Sequence, residues 1–166
     1  MTTFLFCELT LNVPDAAWTT CPYVTRDGKV NPDTDTLVGP DAAVHMSQSV
    51  LYNAIAYAIT KTGKYSQNVG TFIDAYFLSS TTGMHPNMNF GQLVRGPGKE
   101  HQIGTFTGIL DMRGLVKVVN GLQLMRNLKA PDWTSARESS MTSWMQTYTG
   151  WLQNSDLGKS VATKAK

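Results

Sequence analysis

Four segments with helical apolar spacing occur in two pairs, and one long connection, Met84 to Arg113, separates the pairs. This arrangement leaves few folds open. Helices joined by a short turn pack as antiparallel neighbours. A long connection inside a compact domain is uncommon unless it is functional or disordered. Here it reads MHPNMNFGQLVRGPGKEHQIGTFTGILDMR, with Met88, Phe90, Leu93 and Phe106 making it too apolar for disorder. It also gathers Asn87, Asn89, Gln92, Arg95 and Arg113 among Gly, Pro and aromatic residues. The sequence therefore predicts a long loop that forms a cleft, flanked by helix hairpins.

The helices are read from their stripes. Pro40 and Asp41 suit the first turn of a helix. Val44, Leu51, Ile55, Ala58 and Ile59 follow at three- and four-residue spacings, and Gly63 is the expected C-terminal stop. A second helix is predicted from Tyr65 to Leu78, with Val69, Phe72, Ile73, Tyr76 and Phe77 apolar. The third is predicted from Gly108 to Leu128, on a stripe of Leu115, Val118, Val119, Leu122 and Met125. Pro131, Asp132 and Thr134 mark the break before a fourth, Ser135 to Gln153. Its buried side is predicted as Met141, Trp144, Met145, Tyr148, Trp151 and Leu152, with Asn154, Ser155 and Gly158 ending it. Residues 1–20 are weakly patterned, and Cys21 to Ala42 is dense in turn formers, so the organised domain is assigned to 21–166. The pattern predicts an all-α protein: a partial (α/α) toroid or barrel of antiparallel hairpins, with a simple four-helix bundle as the alternative.

Composition narrows the function classes. Hydrophobic residues make up 42% of the chain and charged residues 16%, which is enough apolar material for a core. A net charge of +2 is too small to point to nucleic acid. No run approaches a membrane span of about 20 apolar residues. Cys7 and Cys21 allow at most one bridge between them. The N-terminus carries Glu8 within its apolar run and lacks a basic leader, so it makes a poor secretory signal. His45, His85 and His101 are not at metal-ligand spacing, and neither a metal nor a cofactor is predicted.

The polar groups of the long loop have two readings each. Asn87, Asn89 and Gln92 are amide donors for a ligand, or they stabilise the loop through bonds to its own backbone. Arg95 and Arg113 can pair with ligand carboxylates in bidentate fashion, while Asp111 with Arg113 can equally be a local ion pair. Arg26 beside Asp27 reads as a surface ion pair or as a further cleft cation. Trp18, Tyr23, Phe90 and Phe106 lie near polar loops where an aromatic ring can stack on a sugar; Trp144 and Trp151, two helical turns apart, read as core.

Several stretches together resemble the alginate-lyase-type polysaccharide lyases. They are PYVTRDGKVNPDTD (Pro22–Asp35), SVLYNAIAYAIT (Ser49–Thr60), FIDAYFL (Phe72–Leu78), MHPNMNFGQLVRG (Met84–Gly96), GILDMRGL (Gly108–Leu115) and WLQNSDLGK (Trp151–Lys159). Each is weak alone; six in order are specific, and they are most similar to fungal secreted members acting on glucuronan-like substrates. The resemblance implies an (α/α) barrel, an acidic polysaccharide as partner, an extracellular location and β-elimination of a uronic-acid polymer such as glucuronan or alginate. It marks Asn87, Asn89, Gln92, Arg95, Arg113 and Arg26 as substrate-binding. The family usually has Asn where His85 stands. Its catalytic Asn and His belong to an Asn-Asn-His-Gly segment expected beyond Lys166, so the chain is expected to be the N-terminal portion of the barrel and inactive by itself.

The chemistry explains why such residues are needed. A uronate lyase removes the proton at C5 beside an anionic C6 carboxylate, so the site must hydrogen-bond or neutralise that carboxylate as charge develops. Two alternatives stand beside a lyase. One is a non-catalytic or degenerate carbohydrate-binding protein. The other is a glycoside hydrolase on the same toroid, which requires two carboxylates across the cleft; Asp27 with Asp111 is the pair available.

Overall fold

A computed structural model describes residues 38–92 and 103–164, and among these every regular element is helical. Helix α1 (Gly39–Thr60) has a proline in its opening turn and Asp41 beside it, as the sequence predicts. It ends differently. Lys61 takes the left-handed conformation (φ 57°) and its N–H returns to the Tyr57 carbonyl at 2.9 Å. The Lys61 ammonium lies 5.7 Å from the centre of the Tyr57 ring, a cation–π contact that offsets part of the cost of about 1–2 kcal/mol of a left-handed non-glycine residue. Gly63 is therefore no stop: it opens α2 (Gly63–Ile73).

The buried face of α1 is rotated from the predicted stripe. Ala43, Met46, Ser47, Val50, Ala54 and Tyr57 are buried, while Ile55 and Ile59 are 40% and 76% exposed. The reason lies in what packs there. Helix α1 is central, touching α2, the 3-10 segment Phe106–Gly114 and α3 (Leu115–Asn127). The last two approach through glycine. Gly114 sits against the Ser47 hydroxyl, and a Cβ at Gly121 would lie 3.1 Å from Val50 Cγ1. So close a crossing selects the small residues of α1 rather than its isoleucines.

Helix α2 runs into a π turn, Asp74–Leu78. Val69, Ile73 and Phe77 stay on the core side, whereas Phe72 is turned partly outward. Beyond the wider turn, carbonyls are left for other donors: Ala75 accepts from the Thr82 hydroxyl and Tyr76 from the Met84 N–H, both at 2.7 Å. These two bonds start the long loop.

The predicted third helix is two elements. Its first part, Phe106–Gly114, is a 3-10 helix, and only Leu115–Asn127 is α-helical. On α3, Val118, Leu122 and Met125 are buried while Val119 is 42% exposed. Helix α4 (Ser135–Asn154) matches its predicted span closely, and the Thr134 side chain caps it by accepting the Arg137 N–H. It buries Met141, Trp144 and Tyr148. Asn154, Ser155 and Gly158 end nothing for long. Ser155 Oγ accepts the Gly158 N–H at 3.0 Å, and a further helix, α5 (Asp156–Lys164), follows and packs on α4 and on the 3-10 segment. The residues that read as a stop are thus the cap of the next helix. The architecture is all-α, a partial (α/α) toroid of helix hairpins. No helix among the described residues is long and apolar enough to cross a membrane.

Candidate functional site

The described part of the long loop, Met84 to Gln92, is held from two sides. On one side it lies against α4. The indole N–H of Trp144 donates to the Met84 carbonyl and that of Trp151 donates to Asn89 Oδ1, each at 2.9 Å. The two tryptophans belong to a run of rings. Phe77 meets Trp144 edge-on at 4.7 Å, Trp144 stacks on Tyr148 at 5.3 Å, and Tyr148 on Trp151 at 6.0 Å. The expectation that these tryptophans are core holds for Trp144, which is 7% exposed; Trp151 is only half-buried. Sequence reading missed the polar use of both indoles. Its only signal was their seven-residue spacing, which puts two N–H donors on one face of a helix.

On the other side the loop meets the start of the 3-10 segment. Gly104 donates to the Asn89 carbonyl, and Thr105 donates its N–H to the Gly91 carbonyl at 2.9 Å. Glycine is required here. A Cβ at Gly104 would stand 2.7 Å from the Gly91 nitrogen, and one at Gly108 would overlap the Gly91 carbonyl. Two backbones cannot meet this closely with side chains between them.

Three hydrogen bonds fix the orientation of the three amides. Trp151 Nε1 and the Asn89 N–H are donors without acceptor capacity, so the atoms they meet must be oxygens. Asn89 Oδ1 is taken by Trp151, and Asn87 Oδ1 by the Asn89 N–H at 3.1 Å. Each asparagine is thereby left with an Nδ2 group that has no partner among the described residues. Asn89 is exposed and Asn87 partly so. Gln92 is the reverse. It sits in the left-handed region (φ 49°), and its Nε2 donates to Asp111 Oδ1 at 2.7 Å. This bond braces the loop against the 3-10 segment and uses one of the two amide N–H groups.

Asp111 is buried beneath this bond, 8% exposed. It forms no ion pair with Arg113, whose exposed guanidinium donates to the Leu110 carbonyl at 3.2 Å and has no carboxylate partner among the described residues. Tyr76 lies near Asp111, and burial first, then the Asp111 charge, pushes the phenol above its ordinary pKa. His85 is exposed, and its carbonyl accepts the Asn87 N–H. Arg26 and Arg95 lie outside the described residues, as do Asp27, His101, Trp18, Tyr23 and both cysteines. A separate groove of about 490 Å³ between α3 and α4, lined by Val118, Leu122, Met141 and Met145, is apolar and removed from these donors.

The loop thus carries two amide Nδ2 groups without a partner among the described residues, and Arg113 keeps an exposed guanidinium. No curated protein matches the chain. Among solved structures it is similar to an alginate lyase from Bacteroides ovatus, at 28% identity and a TM-score of 0.72, over 83% of this chain and 35% of the other. The chain spans about a third of the length of that protein. The alginate lyase family matches residues 10–165, so nearly the whole sequence carries the family pattern, and the chain belongs to the alginate lyase family.

Proposed function

We propose that this chain forms the substrate-holding wall of a polysaccharide lyase acting on a uronic-acid polymer of the alginate or glucuronan class, met outside the cytosol. The observation that carries the reading is the orientation of Asn87 and Asn89, whose oxygens each accept a hydrogen bond from within the chain while each Nδ2 group is left without a partner among the described residues. Arg113 adds an exposed cation. In β-elimination the C5–H bond and the C4–O4 bond break, C4=C5 forms, and a proton is delivered to O4. The negative charge developing at C5 spreads into the C6 carboxylate. Amide and guanidinium donors on that group lower the barrier, each oriented donor being worth about 3 kcal/mol in a dry site.

The test is to incubate the protein with alginate and with glucuronan, following binding by calorimetry and the unsaturated product by its ultraviolet absorbance. Saturable binding supports the substrate-holding role. Accompanying product establishes lyase chemistry in the chain, and binding without product favours the carbohydrate-binding reading. No binding to either polymer overturns the proposal.

A further inference from the structure

We infer that Trp151 is a positioning residue for carboxylate recognition: its indole N–H locks the Asn89 amide with oxygen inward and nitrogen outward. The inference rests on the proposed uronate-binding role and names the device that makes Asn89 selective. An exposed asparagine amide can turn over about its last torsion, and the two orientations differ in sign at the surface. One presents N–H donors; the other presents a carbonyl oxygen that repels a carboxylate. An indole N–H only donates, so its bond to Oδ1 at 2.9 Å admits just the first orientation.

The latch is itself held. Trp151 stacks on Tyr148, which is buried and stacks in turn on Trp144. Trp144 fixes the Met84 carbonyl from the same face of α4, so one helix sets both the start of the loop and the amide five residues on. The Asn89 backbone is pinned independently, its N–H by Asn87 Oδ1 and its carbonyl by Gly104. Loss of the indole N–H would therefore free the amide torsion and leave the loop seated.

The experiment compares four proteins: wild type, Trp151→Phe, Asn89→Ala and the double variant. Phenylalanine keeps a six-membered ring on Tyr148 and removes the donor together with the pyrrole half of the indole, whose loss of packing the Asn89→Ala background reports separately. Affinity for alginate is measured by calorimetry, together with affinity for the same polymer after its carboxyls are reduced to alcohols. Trp151→Phe is expected to weaken alginate binding about fivefold, with no further loss in the Asn89→Ala background and no change toward the reduced polymer. A second measurement does not depend on any polymer. Hydrogen exchange of the Trp151 indole N–H, read by nitrogen-15 NMR, should accelerate at least about tenfold in Asn89→Ala while that of Trp144 is unchanged. Equal losses from Trp151→Phe in both backgrounds, or an unchanged exchange rate, overturn the inference and leave the uronate reading intact. Absence of alginate and glucuronan binding by the wild type overturns both.

Discussion

The Arg137 guanidinium closes on Asp74 through three hydrogen bonds: Nε to both carboxylate oxygens at 2.9 and 3.1 Å, and Nη2 to Oδ2 at 2.6 Å. This pair ties the first turn of α4 to the π turn that launches the long loop. The bond to Asp74 is the main reason the Arg137 pKa is raised, and the Asp132 carbonyl takes the remaining Nη1. Gly70 makes room for the clamp, since a Cβ there would stand 2.9 Å from the guanidinium carbon.

Gly70→Ala should therefore destabilise the fold. Helix propensity favours alanine by about 1 kcal/mol, but the guanidinium is pinned on two sides and cannot give way freely. Overpacking of this kind costs about 1–3 kcal/mol, so the net expected effect is a loss. In an Arg137→Ala background the same change should become stabilising by about 0.5–1 kcal/mol. Urea unfolding of the four proteins checks this, and a Gly70→Ala effect of one sign in both backgrounds contradicts it.

Asn89→Asp tests the sign of the outward group. An aspartate oxygen still accepts from Trp151, so the loop should stay in place, while the outward donor becomes a negative charge. Alginate affinity is expected to fall more than about tenfold, from a lost donor and a like-charge contact. Raising the salt concentration should recover part of it. Calorimetry at two ionic strengths reads both effects.

Much of this arrangement was legible in the sequence, and the missing parts have identifiable causes. The spans of α1 and α4, and the loop between the hairpins, follow from apolar spacing and from Pro40 and Thr134. The face of α1 was misread because Ile55 and Ile59 outrank Ser47 and Ala54 in hydrophobicity, while the close crossing at Gly114 and Gly121 selects for size. The 3-10 segment depends on backbone contact between Gly91 and Gly108, which apolar period does not report. At the site, the residue types were legible and their orientations were not. Asn89 and Gln92 look alike as amides, and only the partners Trp151 and Asp111 show that one engages its oxygen and the other its nitrogen.

Gly108→Ala should unseat the loop. The added methyl overlaps the Gly91 carbonyl, which cannot move without breaking its bond from Thr105. The expected result is faster proteolytic cleavage between Met84 and Gln92 and a loss of alginate affinity, with the far-ultraviolet helical signal retained. Unchanged cleavage would show that the two backbones are not locked together.

The stability of the α3–α4 corner should depend on acid pH through Glu138. Its carboxyl is held below the ordinary range chiefly by the hydrogen bond from Arg126 at 2.7 Å, with a further bond from the Trp133 indole at 2.6 Å. A folded pKa below the unfolded one means that unfolding takes up a proton. The contribution is therefore fully present above the unfolded value, near ~4.3, and is lost as pH falls through the lowered folded value. Glu138→Gln should remove this part of the acid dependence and leave the slope at neutral pH unchanged. Thermal melts between about pH 2.5 and pH 7 check it, and an identical acid slope in the variant would count against the assignment.

The most direct test of the account is paired calorimetry of the wild-type protein with alginate and with the same polymer after reduction of its carboxyls. Two Nδ2 groups unpartnered among the described residues and the exposed Arg113 guanidinium predict saturable binding to the anionic polymer and at least about tenfold weaker binding to the neutral one. Equal affinity for the two polymers would contradict the claim that this loop is built to hold a uronate carboxylate.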